Sequence, residues 1–370
     1  MEIRIVKTKK ELNEFILYPW KVYGKDTNWV PQLIDDYKFI LTADNPFWEH
    51  AEKELFMAFD SSGKPIGRIA AIIDQNFIDF HQEKTGFFGF YESIDSVDVA
   101  KVLFDKAKDW LRSKGMHKMI GPTNPSTNDE MGFLCEGFET PPRLMMPYNP
   151  KYYLTLAEKS GLKYAKELYA YDMDVSGNNI ERLERLSQIA YKKNPGLSVR
   201  KLNIKDFENE IAKAVTIYNA AWEKNWGFVP WTQKEFYTIA KRLKDLLLLD
   251  TTLLAEINGK PAAMLIAVPD YNFVMKKMNG RLFPFGLLKF LYFKNKIDAL
   301  RLMIMGVVKE NRQRGIEAVL YNESLKNSLR LGFKKCEFSW ILEDNVMTQR
   351  ACEMMGGKLY KKYRVYEANV

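Results

Sequence analysis

Leu302-Met303-Ile304-Met305-Gly306-Val307-Val308, then Arg312-Gln313-Arg314-Gly315-Ile316 after three intervening residues, is the stretch on which the reading of this chain turns. The first run is apolar and of strand length. Beyond the second, Glu317 to Leu329 carries apolar side chains at helical spacing (Val319, Leu320, Leu325, Leu329). A basic turn between a strand and a helix exposes N–H groups that lack intrahelical partners. Together with the helix dipole these favour an anion, and Gly315 lets the main chain approach it with no Cβ in the way. A pyrophosphate suits such a turn.

The chain has 370 residues, enough for two domains, and its 46% hydrophobic and 14% aromatic residues supply two cores. A disordered chain is excluded. The formal charge of +8 and pI near 9.0 do not single out nucleic acid, because cations are mixed with acids, as at Lys334-Lys335 before Glu337. An anionic cofactor suits the surplus at least as well. Cys135, Cys336 and Cys352 show no paired spacing, and His50, His81 and His117 form no helical pair, so neither a disulfide framework nor a metal centre is expected. The charged opening Met1-Glu2-Ile3-Arg4-Ile5-Val6 and the lack of an uncharged apolar run near ~18 residues lead us to expect no signal peptide, no membrane span and a cytoplasmic location.

The chain repeats itself weakly. Gly63-Lys64-Pro65 and Gly259-Lys260-Pro261 each close a turn between two apolar runs, and the runs that follow end in an Asp at the same distance, Ile66 to Asp74 and Ala262 to Asp270. Gly161, Lys163, Lys166 and Tyr171 recur, one residue out of step, as Gly356, Lys358, Lys361 and Tyr366. Each copy reads as hairpin, strand, helix, strand, helix, strand, an α/β class with a mixed sheet covered by helices. The first copy spans 1–174 and the second 199–370. Between them 175–198 reads as a connector, with Ser176-Gly177-Asn178-Asn179, an amphipathic pattern (Ile180, Leu183, Leu186, Ile189) and Asn194-Pro195-Gly196.

Arg312, Gln313-Arg314, Gly315, Ile316, Glu317 resembles the signature of the GNAT superfamily of acyl-CoA-dependent N-acyltransferases: Arg or Gln, two residues, Gly, one residue, Gly or Ala. The resemblance extends over most of 199–370, through the hairpin at Gly259, a fifth strand at Cys336 to Leu342 and a final helix and strand. The first half is similar to the same fold without the signature, since Glu92-Ser93-Ile94-Asp95-Ser96-Val97-Asp98 holds no glycine cradle. The resemblance implies two tandem GNAT-like domains, the first degenerate. It implies acetyl-CoA or a longer acyl-CoA as co-substrate, held by Val307, Val308, Arg312, Gln313, Arg314, Gly315, Ile316, Glu317 and Asn345, with backbone N–H near Val307 and Val308 as oxyanion donor. Two positions depart from the pattern. Glu317 replaces the second small residue and brings a carboxylate towards the phosphates or outward over the first helical turn. Counting seven positions beyond Asn345 reaches Cys352 where the family often has a proton-donating Tyr. Cys352 is read either as that donor or as a small buried residue, and Tyr360, Tyr363 and Tyr366 are alternatives.

Acyl transfer from a thioester needs a deprotonated amine, a donor for the developing oxyanion and a proton for the leaving sulfur. Glu337, Ser339, Ile341 and Glu343 share one face of a regular strand, and Glu343 is read as the general base, against a reading of this acidic turn with Asp344-Asn345 as a helix cap. Trp222, Trp226 and Trp231 either shape the acceptor pocket or pack. Gly121 to Glu130 and Pro147 to Pro150, with Glu136, either satisfy turns locally or present polar groups to an acceptor. The apolar, lysine-bearing segment 282–294 reads as a lid for a lipophilic substrate, a helix on a membrane surface or packing. The functional expectation is an acyl-CoA-dependent, acetyl-CoA-first, N-acyltransferase acting on a small-molecule or peptide amine. A non-catalytic acyl-CoA-binding or scaffolding protein and an aminoacyl-tRNA-dependent transferase are the alternatives.

Overall fold

The computed structural model describes residues 1–176 and 180–370, so Gly177, Asn178 and Asn179 of the expected connector lie outside the described residues. Along the chain run β1 (Glu2–Ile5), α1 (Lys9–Leu17), α2 (Pro19–Tyr23), α3 (Ile34–Leu41), β2 (Ala51–Phe59), β3 (Pro65–Asp74), α4 (Gln75–His81), β4 (Thr85–Ser93), α5 (Val97–Ser113), β5 (Lys118–Gly121), β6 (Thr123–Asn124), β7 (Glu130–Met131), β8 (Phe133–Glu136), α6 (Tyr152–Lys159) and β9 (Lys163–Asp174). There follow α7 (Ile180–Lys193), β10 (Leu197–Lys201), α8 (Phe207–Trp222), α9 (Gln233–Leu243), β11 (Thr252–Ile257), β12 (Lys260–Pro269), α10 (Asn272–Met278), α11 (Gly286–Phe293), β13 (Ala299–Val307), α12 (Ile316–Arg330), β14 (Lys335–Leu342), α13 (Val346–Met354) and β15 (Lys358–Asn369). The chain forms two compact units, one of Met1–Leu168, Asn272–Tyr292 and Lys361–Val370, the other of Tyr169–Tyr271 and Phe293–Tyr360.

In the first unit β1 to β4 pair antiparallel in sequence order and β4 pairs parallel with β5. The last residues of β15 run antiparallel to β5 and β8. The Asp60 carboxylate closes the first hairpin by accepting the N–H groups of Ser62 and Lys64, each at 2.9 Å, while Gly63 takes φ +80°. Helix α5 begins after Ser96, whose hydroxyl accepts the Val99 N–H at 3.4 Å, and buries Ala100, Leu103, Phe104, Ala107 and Leu111 along one helical face.

In the second unit β10 to β13 are again antiparallel in order and β13 pairs parallel with β14. The Tyr169–Asp174 part of β9 flanks β14, and the Val175 N–H reaches the Lys334 carbonyl at 2.8 Å. Asn258 (φ +50°) and Gly259 (φ +77°) make the two-residue Asn-Gly turn whose twist matches a hairpin. One face of this sheet packs Leu265, Leu302 and Phe338 against Ile316 and Leu320 of α12. The other packs Met264 and Leu254 against Ile211, Val215 and Phe236 of α8 and α9. The expected mixed-sheet α/β class holds in both units, and both hairpins fall where the repeat places them.

Candidate functional site

The parallel pair β13/β14 is short. Its register runs from Ala299↔Lys335 to Leu302↔Phe338 and stops, although both strands continue. On the other edge of β13 the register with β12 slips, Ile266 facing Ile304 and Ala267 facing Leu302, so Met303 is an extra residue. Such a bulge bends a strand and increases its twist, which accounts for β13 leaving β14 at that point. The opening so made lies at the C-terminal ends of both strands, next to the turn that leads into α12.

Main-chain direction decides which amides face the opening. The Val308 N–H is bonded to the Ala262 carbonyl at 2.9 Å, towards β12. Alternation along an antiparallel edge then turns the Val307 N–H the other way, towards the opening. Of the two donors expected from the sequence, Val307 is the one so placed. Across β13, Gly306 lies under Trp222: a Cβ there would come within 2.3 Å of the indole ring, so only glycine admits this approach.

The turn itself is built from the far ends of three elements. Arg312 donates to the Ala221 carbonyl at 2.7 Å and to the Val307 carbonyl at 3.3 Å, tying the turn to the end of α8 and to β13. Gln313 takes φ +61° and Gly315 φ +79°, and Arg314 donates to Asn311 Oδ1 at 3.0 Å. Helix α12 therefore starts from a left-handed glycine with no side-chain cap. Among the described residues no acceptor is found for the amides of Gln313 to Glu317. The corresponding α5 of the first unit carries the Ser96 hydroxyl on its own first turn. The amides of α12 are thus open to an external anion. Helix α7 holds the turn from behind: Asn194 Nδ2 donates to the Arg314 carbonyl at 3.0 Å, and a Cβ on Gly315 would lie 3.1 Å from Ala190 Cβ. Glu317 is half-buried on the first turn. Burial raises the Tyr321 hydroxyl pKa, and the Cys352 thiol and the Glu317 charge add to the rise, so Glu317 lies on the side of α12 that carries Tyr321.

On β14, Glu337 and Ser339 are buried with Arg301, the residue opposite Glu337 in the register. Arg301 Nε donates to Ser339 Oγ at 2.8 Å, Ser339 donates to Glu337, and the Tyr360 hydroxyl donates to the second oxygen of Glu337. The sequence pointed to Glu337 and Ser339, and to Tyr360 only as an alternative proton donor to the leaving sulfur. Arg301 was missed, and the available signal was a lone cation inside the apolar run Ala299-Leu300-Arg301-Leu302. Glu343 follows β14 in the turn, half-buried, and its carbonyl accepts Gln349 Nε2 at 2.8 Å. Asn345 caps α13 by accepting the Thr348 N–H at 3.2 Å. Cys352 is 0% exposed in the apolar core under α12. Burial, with the Glu353 charge adding to it, pushes its thiol up to about 12. Tyr366 donates to Glu158 at 3.2 Å. Of the tryptophans singled out in the sequence, Trp222 and Trp231 both pack around Tyr218. Beside the last paired residues Leu302 and Phe338 is an apolar cavity of about 30 Å3, bordered by Tyr321, Ser324, Leu325 and Met355.

No family model matches the chain. It is 36% identical over 370 residues to a bacterial ceramide synthase of Caulobacter vibrioides (strain NA1000 / CB15N), covering 98% of this chain and 96% of that protein. It is 34% identical over 376 residues to protein YghO of Escherichia coli (strain K12), covering 100% of this chain and 95% of that one. Among solved structures, a tandem GNAT protein from the clavulanic acid biosynthesis pathway superposes with TM-score 0.57 at 11% identity, covering 100% of this chain and 98% of that chain. A GCN5-related glucosamine N-acetyltransferase region of a fungal β-N-acetylglucosaminidase gives TM-score 0.59 at 15% identity over 99% of this chain and 38% of that one. At such identities the superpositions speak for the fold, which is a tandem GNAT fold.

Proposed function

The chain belongs to the tandem GNAT-fold acyltransferase family that includes the bacterial ceramide synthase and protein YghO, and from that premise we propose that it moves the acyl group of a long-chain acyl-CoA onto the amine of a long-chain amino alcohol, forming an amide. The observation that carries the reading is the unengaged first turn of α12 beside the opening between β13 and β14, in a chain that matches a ceramide synthase from end to end. Of the two acyl donors, the longer acyl-CoA is favoured over acetyl-CoA, because a ceramide is an N-acylated long-chain amino alcohol.

In this reading the pyrophosphate of CoA lies on the amides of Gln313 to Glu317, with Arg312 and Arg314 supplying positive charge. The thioester enters the opening, and the Val307 N–H donates to its carbonyl oxygen as the amine nitrogen attacks. A C–N bond forms, the C–S bond breaks, and the ammonium proton goes to a base, for which Glu343 at the open end of β14 is our candidate. The leaving thiolate takes a proton. Cys352, with a thiol near 12, lies well above a thiolate of ordinary pKa about 8.5 and would give up a proton to it uphill, so we assign that proton to solvent rather than to Cys352.

The test is to incubate the purified protein with acyl-CoAs of increasing length and a long-chain 2-amino alcohol, following thiol release and the amide by mass spectrometry. Amide from long-chain donors, with Glu343→Gln lowering kcat by about 10²-fold or more at unchanged acyl-CoA affinity, is the expected result. Turnover of acetyl-CoA alone onto water-soluble amines would replace the lipid reading, and no CoA binding by calorimetry would remove the transferase reading altogether.

A further inference from the structure

Helix α11 presents an unusual face. Its own stripe Leu288, Leu291 and Tyr292 is 64%, 50% and 64% exposed, and Phe283 and Phe285 immediately before it are each 68% exposed. Phe285, Leu288, Leu291 and Tyr292 fall on one side of a helix, so the outward side is the apolar one, the reverse of an ordinary surface helix. Between Tyr271 and Ile297 the sequence holds Lys276, Lys277, Arg281, Lys289, Lys294 and Lys296 and no Asp or Glu. An exposed apolar face in a segment whose charged residues are all cations marks an interaction surface, and its charge says which kind. A second copy of the same surface would bring like charges together. An anionic lipid headgroup layer complements them while the acyl region accepts the apolar side chains.

We propose that α11 with residues 283–285 docks this protein onto an anionic bilayer surface, lying in the interface and not crossing it. No helix among the described residues is long and apolar enough to cross a membrane, and α11 has only 8 residues. Its phenylalanines and leucines enter the boundary between headgroups and acyl chains, Tyr292 sits at headgroup level, and the lysines reach the phosphates. Docking of this kind depends on this surface alone and uses no property of the acyl-transfer site.

Co-sedimentation of the whole protein with phosphatidylcholine vesicles, with and without phosphatidylglycerol, tests it in the absence of acyl-CoA. Wild type is expected to partition onto the anionic vesicles, to be released by high salt, and to lose about tenfold in partition per leucine replaced in Leu288→Ser/Leu291→Ser. Circular dichroism and Tm of that variant confirm that it is folded, since both side chains are exposed in the native state. Equal partition onto neutral vesicles, or undiminished partition of the folded variant, overturns the proposal. So does a leucine-dependent dimer in vesicle-free light scattering, which would give the face to a second copy. Failure here leaves the amide-forming reading intact, because no step of the assay requires turnover.

Discussion

At Gly315 backbone conformation, helix packing and the proposed anion site meet in a single residue. Its φ of +79° and the 3.1 Å from its virtual Cβ to Ala190 mean that any side chain there both strains the backbone and presses on α7. The left-handed conformation alone costs a non-glycine residue about 1–2 kcal/mol. Gly315→Ala is therefore expected to lower stability by roughly that amount and to weaken CoA binding measured by calorimetry. A variant that binds CoA as tightly as wild type would show that this turn is not the anchor. This residue was legible in the sequence because a glycine in a basic strand-to-helix turn frees the main chain just where an anion would sit. The interior network was not. Nothing in the spacing of Arg301 and Tyr360 says that their side chains meet Glu337 and Ser339, since that depends on strand register.

Glu92 in the first unit makes a separate residue-scale prediction. It is buried, accepts from Tyr153 at 2.6 Å and Tyr23 at 3.3 Å, and lies 3.8 Å from Arg68. Burial raises its pKa from 4.5 to about 7, against the opposing pull of Arg68 and the two tyrosines. The folded chain thus keeps this proton to higher pH than the unfolded chain does. The associated stability is whole below about 4.5 and is lost as pH rises through about 7, a change of about 3 kcal/mol at most. Calorimetric Tm should fall across that window in wild type and flatten in Glu92→Gln, whose amide stays neutral; an unchanged pH slope would assign the effect elsewhere.

At the scale of an element, α7 is the instructive case. The pattern Ile180, Leu183, Leu186, Ile189 announces a helix, and a helix forms. The side it buries is another matter: Leu183, Ser187 and Ala190 are inside, while Leu186 and Ile189 are 41% and 43% exposed. Small residues let α7 come close to α12 and the turn before it, and close approach is a property of two surfaces that one helix's periodicity does not contain. Asn194, just past its end, bonds both the Ala190 and the Arg314 carbonyls. Asn194→Ala should cost about 1–2 kcal/mol in denaturant unfolding and loosen the turn, raising KM for acyl-CoA with kcat little changed. A kcat defect at unchanged KM would contradict a supporting role.

For the molecule as a whole, the order of elements was the part most readily legible. Two similar turns at Gly63 and Gly259, each between apolar runs, fixed the hairpins, and the alternation after them fixed the mixed sheets. The two copies differ at the start of the helix that follows the fourth strand of each. In the first unit Ser96 satisfies the start of α5 from within, whereas α12 has no such cap. Calorimetry should accordingly find one CoA per chain; two would mean that the Ser96 cap opens.

That self-satisfied helix has a kinetic corollary. On the proposed reading the nucleotide binds at the open first turn of α12 while Ser96 closes that of α5, so binding at one half has no second occupancy through which to be sensed. Velocity should climb with acyl-CoA concentration along a plain hyperbola, with a Hill slope of about one, however much the duplicated architecture invites the thought of cooperativity.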